Sequence, residues 1–81
     1  MIEQQLKELL GHQVGMHATQ INLSDRLVED LNADSLDLVE IVMNIEETFK
    51  IIIEEDEYHT CNTVGLVLAL INNKLAVKEK L

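Results

Sequence analysis

Apolar side chains fall into three runs of helical spacing along the chain. In the first, Ile2, Leu6, Leu9, Leu10 and Val14 recur three or four residues apart, which predicts an amphipathic helix ending between Gly11 and Gly15. Glu3 lies in its first turn, where a negative charge meets the positive end of the helix dipole. In the second run Leu38, Ile41, Val42, Ile45 and Phe49 share one side of a helix over 36–49. In the third, Val64, Val67, Leu68, Ile71 and Leu75 do the same behind Thr63, a residue type suited to a helix N-cap. Lys74, Lys78 and Lys80 suit the carboxyl end of that helix. Leu66 and Leu70 lie off its stripe and are expected either to widen the core or to leave an apolar flank.

No long period holds over residues 16–34. So long a connection is expected to be functional or to contain short turns of its own. Ile21, Leu23, Leu27, Val28 and Leu31 would tack it to the core, and Ser24-Asp25 would cap a turn. After Phe49, Lys50-Ile51-Ile52-Ile53 has the composition of a strand, but a lone strand has no partner in a chain otherwise patterned as helix. It is predicted to be an extended connection with Ile51 and Ile53 turned inward. Glu54, Glu55, Asp56 and Glu57 then open a short helix running to about Thr60. The predicted class is all-α: a four-helix bundle of three long helices and one short one, with a long loop between the first two.

Size and charge narrow the functional classes. At 81 residues, 1–81 is expected to form a single domain with a thin margin of stability. The lone Cys61 cannot form an internal disulfide, which suits a reducing compartment. Neither a membrane span nor a signal peptide is visible, so the expected location is cytoplasmic, and the chain is expected to act as a monomer. Fifteen acids against six bases leave a net charge of −9, which disfavours nucleic acid and favours basic protein surfaces as partners. Disorder is the other reading of an acidic chain, and 47% hydrophobic residues at regular spacing argue against it.

The helix over 36–49 carries a second pattern. Opposite its core stripe, where a structural helix would be plainly polar, stand Leu36, Met43 and, at the margin, Val39, among Asp37, Glu40, Glu46 and Glu47. Apolar side chains ringed by one sign of charge suit a cationic partner, the acids steering and the Leu and Met giving grip. Ser35 stands at the amino end of this helix beside Asp34, within reach of an enzyme docked on that face.

The run Asp34-Ser35-Leu36, with Glu29-Asp30-Leu31 before it and Leu38-Val39-Glu40-Ile41-Val42-Met43 after it, resembles the prosthetic-group site of acyl carrier proteins. The similarity continues through Glu46-Glu47-Thr48-Phe49, Ile51 to Ile53 and Thr63-Val64. It implies that Ser35 carries covalent 4′-phosphopantetheine, attached by a phosphopantetheinyl transferase, whose thiol holds acyl groups as thioesters. The implied role is that of a carrier rather than a catalyst, in fatty-acid or related polyketide or lipid biosynthesis. Asp34, Leu36, Asp37, Glu40, Met43, Glu46 and Glu47 would meet basic patches on the enzymes that load, extend and unload the chain. Val28, Leu38, Ile45, Ile53 and Cys61 are the implied acyl-pocket candidates, although each is equally explained as core. Several positions depart from the family's commoner choices, among them Asn32, Lys50, Ile52, Glu54 and Gly65. They leave open a carrier dedicated to another pathway, including an aminoacyl carrier, while Asn32-Ala33 lacks the paired glycines usual in peptidyl carriers.

Other chemistries fit less well. No histidine or lysine lies close to Ser35 in sequence to serve as its base, which disfavours a serine hydrolase. Asp30, Asn32 and Asp34 resemble the start of a calcium loop, but Ser35 replaces its glycine and Ile41 its bidentate glutamate. His12, His17 and His59 show no paired ligand spacing with Cys61, and no metal is expected beyond a cation held loosely at Glu54 to Glu57. The competing class is an unmodified acidic adaptor that binds a basic protein through the same face. Self-repulsion at this charge predicts that added sodium chloride or magnesium raises the thermal unfolding midpoint followed by circular dichroism; a flat response to both would contradict it.

Overall fold

The computed structural model describes residues 1–80, with side chains through residue 78. Four α-helices follow one another: α1 (Ile2–Val14), α2 (Ser35–Phe49), α3 (Glu55–His59) and α4 (Val64–Lys80). A single 3-10 turn at Ala18–Gln20 interrupts the long connection. No strand forms among the described residues; Arg26 and Thr63 make one isolated antiparallel bridge. No described helix is long and apolar enough to cross a membrane. The Lys80 side chain, expected at the basic end of α4, lies outside the described residues.

The stripes read from the sequence meet in one core. Leu6 and Leu10 from α1, Ile41, Ile45 and Phe49 from α2, and Val64, Val67 and Ile71 from α4 are buried together. Ile51 and Ile53 join them from the extended connection, while Ile52 points outward. Leu68 and Leu75, placed in the α4 stripe by spacing, are only half-buried at its edge. Leu66 and Leu70 divide the two expectations between them: Leu66 is exposed, and Leu70 packs against the core.

Each helix end has an identifiable cause. α1 stops at Gly15, whose φ of 75° is the left-handed cap conformation, and the Gly15 and Met16 amides both donate to the Gly11 carbonyl. Gly11 is thus not a helix stop. It lies buried inside the last turns of α1, where a Cβ would collide with the Met16 carbonyl oxygen as the chain folds back. α2 stops at Lys50, also left-handed at φ 57°, and the Lys78 ammonium from α4 reaches back to the Lys50 carbonyl at 2.7 Å. In α3 the Glu54 amide donates to Glu57 Oε1 at 2.9 Å. At α4 the Thr63 hydroxyl accepts from the Leu66 amide at 3.2 Å, the expected cap.

The connection over residues 16–34 is held largely by its backbone. The carbonyls of Asp25 and Leu23 accept from the Val64 and Gly65 amides at 2.9 and 2.8 Å, and the Leu27 amide donates to the Asn62 carbonyl at 3.0 Å. A Cβ at Gly65 would lie 3.1 Å from the Leu23 carbonyl oxygen, so any side chain there would push the connection back by a few tenths of an ångström. The Asp25 carboxylate caps a turn by accepting from the Asn22 amide at 2.8 Å. Ile21, Leu27 and Leu31 are buried as expected, but Leu23 and Val28 are not, and Val28 is 50% exposed. The Asp30 and Leu31 amides both return to the Arg26 carbonyl, and this turn sends Leu27 and Leu31 inward and Val28 out.

Two substitutions test this account in urea unfolding. Lys50→Gly relieves a left-handed non-glycine residue and should raise stability by about 1 kcal/mol. Ile71→Ala empties a fully buried position and should lower it by about 2–5 kcal/mol.

Candidate functional site

At the amino end of α2 the capping role falls to Asp34. Its carboxylate accepts from the Asp37 amide at 2.8 Å, and the Asp37 carboxylate accepts in return from the Asp34 amide at 3.1 Å. Ser35, the first residue of the helix, is therefore not needed as a cap. It is exposed, and among the described residues its hydroxyl makes no hydrogen bond. The chain just before it is held firmly: Ala33 is 2% exposed, and its amide donates to the Leu27 carbonyl at 3.0 Å. Asn32 takes the left-handed conformation at φ 59°, which asparagine tolerates better than most residues. Among the described residues no general base pairs with Ser35, so the residue offers a reachable primary alcohol rather than an activated nucleophile.

The outward face of α2 combines two kinds of residue. Leu36 is 72% exposed and Met43 60%, with Val39 beside them and the Glu40 and Glu47 carboxylates in solvent. The other acids assigned to this face work within the fold. Asp34 and Asp37 close the cap, and the half-buried Glu46 accepts from the Ile53 amide at 2.9 Å, fastening the connection that follows α2. Gln13 of α1 donates to Asp37 Oδ1 at 3.1 Å and to Glu40 Oε2 at 2.8 Å. The hydrogen bond from Gln13, with that from the Asp34 amide, holds the Asp37 carboxyl below the usual carboxylate range. Gln13 carries no periodic signal, and spacing within α2 could not have found it.

An apolar cavity of about 160 Å³ lies between α2, α3, α4 and the long connection. Val28, Leu38, Ile45, Ile53 and Cys61 all line it, with Val28 at its exposed rim. Leu38, which lines it, follows Ser35 by about one helical turn and so lies on a neighbouring part of the α2 surface. Ile41 and Val42 complete the α2 wall, Val67 and Leu70 form that of α4, and Leu27, Tyr58, His59 and Asn62 were not anticipated. Burial pushes the Cys61 thiol above its ordinary range, and its Sγ donates to the Glu57 carbonyl at 3.3 Å, so it is a protonated wall residue. Outside the cavity the Lys74 ammonium meets Glu57 at 2.7 Å and holds that carboxyl below its usual range. His59 stacks on Tyr58 and lies 3.5 Å from Glu55.

A family model described as the phosphopantetheine attachment site matches residues 4–71. The acyl carrier protein of Chlamydia caviae is 38% identical over 73 residues, covering 90% of this chain and 95% of that one. The acyl carrier protein of Clostridium acetobutylicum is 37% identical over 68 residues, covering 84% and 88%, and that of Chlamydia trachomatis serovar D is 37% identical over 73 residues. The matched stretch takes in most of α1 as well as the serine-bearing helix, the cavity-lining residues and the first half of α4, and the chain belongs to the acyl carrier protein family, non-catalytic carriers that work through phosphopantetheine.

Proposed function

We propose that Ser35 is the attachment point of the phosphopantetheine arm and that the chain carries acyl groups between enzymes of fatty-acid or related lipid biosynthesis. The observation that carries this reading is the exposed Ser35 hydroxyl, which has no partner among the described residues while Asp34 caps α2. The residues present fit the group: a free alcohol at a helix amino end, where an added phosphodiester meets the positive end of the dipole, and an apolar cavity one turn away. In loading, Ser35 Oγ bonds to the phosphorus of the pantetheine phosphate as the pyrophosphate bond of coenzyme A breaks. Adenosine 3′,5′-bisphosphate leaves, and the hydroxyl proton passes to a base of the transferase. The arm, when bound, supplies the thiol that holds acyl groups as thioesters.

Leu36 and Met43 with Glu40 and Glu47 are the docking surface in this reading, for partners that present cationic patches around an apolar centre. Asp34, Asp37 and Glu46 hold the shape beneath it, and their charges add to the field. The working location is the cytoplasm and the working unit a monomer that a phosphopantetheinyl transferase modifies.

Co-expression with such a transferase should add one phosphopantetheine to the intact mass, and Ser35→Ala should abolish the addition. A mass that stays unmodified would favour the acidic adaptor. In a separate test, Glu40→Lys combined with Glu47→Lys should slow loading by about tenfold at physiological salt with the helical circular dichroism retained. Unchanged loading rates at physiological salt would remove these two acids from the docking surface.

A further inference from the structure

The two acids that stand in solvent on the outward face of α2 are not held alike. Among the described residues Glu47 accepts no hydrogen bond and joins no ion pair, so its side chain turns freely. Glu40 is tethered: its Oε2 accepts from Gln13 Nε2 at 2.8 Å, and the same nitrogen reaches Asp37 Oδ1 at 3.1 Å. Gln13 lies in the last turn of α1, half-buried where that helix meets α2.

Ionised carboxylates only accept, so the nitrogen side of the amide must face them, and each of its two hydrogens serves one acid. Asp37 and Glu40 stand about one turn apart on α2, where like charges repel and, left alone, would splay. The Gln13 amide opposes that repulsion by bridging them. Asp37 has a second tie, accepting from the Asp34 amide at 3.1 Å, whereas Glu40 has no other among the described residues. The bridge therefore constrains Glu40 above all.

On the reading that this face docks partners, we propose that Gln13 is a positioning residue: by bridging Asp37 and Glu40 from α1, it holds Glu40 in place for the cationic patch of the enzyme that loads Ser35. An unheld glutamate gives up rotamer freedom when a partner captures it, and that loss weakens binding. Glu40 has given up part of this freedom already, within the fold. Glu47 has not, and it serves as the internal comparison. Recognition by the transferase then depends on a residue outside the docking face.

The test measures KM for the unloaded chain and kcat with a phosphopantetheinyl transferase at saturating coenzyme A. The variants are Gln13→Met, Glu40→Ala, Glu47→Ala and the two doubles that combine Gln13→Met with each alanine. Methionine matches glutamine in length and helix propensity and removes both donors. Gln13→Met should raise KM by about threefold to tenfold, with kcat and the helical circular dichroism unchanged. That rise should shrink to less than about twofold in the Glu40→Ala background and persist in full in the Glu47→Ala background. An unchanged KM, a loss carried by kcat, or an equal rise in both backgrounds would overturn the proposal, the last because it marks a direct contact or a general disturbance of the fold. Dissociation constants for the transferase, measured by calorimetry with the same variants built on Ser35→Ala, read docking without attachment and should follow the same pattern. If Glu40→Ala and Glu47→Ala weaken binding and Gln13→Met does not, positioning fails alone; if none of the three weakens it, the docking reading fails as well.

Discussion

The position of the long connection depends on hydrogen bonds between its carbonyls and the amino end of α4. A helix leaves its first amides without partners, and a segment without periodic side chains has little else to fix its register. Here the Val64 and Gly65 amides take the Asp25 and Leu23 carbonyls, and Thr63 supplies the remaining cap. Once the backbone is pinned, Leu27, Leu31 and Ala33 enter the core in turn, and the chain reaches Asp34 at a defined place. The location of Ser35 is thus set in part by residues near position 64, far away in sequence.

The same division between holding and offering runs through α2. Had Ser35 been the cap, its oxygen would have been engaged with a backbone amide. With Asp34 in that role the helix keeps its start and the serine keeps its hydroxyl free. Glu46 repeats the pattern at the other end, where it ties Ile53 while Glu47 beside it stays in solvent. Acids that look alike along the sequence therefore do different work, some closing the fold and some contributing only their charge.

The three long helices, the short α3 and the inward turn of Ile51 and Ile53 were legible because burial of a helical face leaves a period in the sequence. The end of α1 at Val14 and Gly15 falls within the stretch its spacing marked, whereas the room that Gly11 makes for the Met16 carbonyl is a demand of the returning chain that spacing does not show. In the connection, composition identified apolar residues but not their direction. Val28 and Leu31 look equivalent until the turn on the Arg26 carbonyl separates them, and Ala33 is buried without any pattern to announce it. Ser35 and the exposed Leu36 and Met43 could be read from one helix alone. Gln13 and Tyr58 could not, since each acquires its meaning from an element that packs beside it.

Gln13 reaches two carboxylates of α2 with one amide group. A lysine there would aim Asp37 and Glu40 as well, but it would cancel part of their charge. A neutral donor orients without neutralising, so α1 gives these two acids a fixed heading and leaves the protein's outward potential at full strength for whatever approaches.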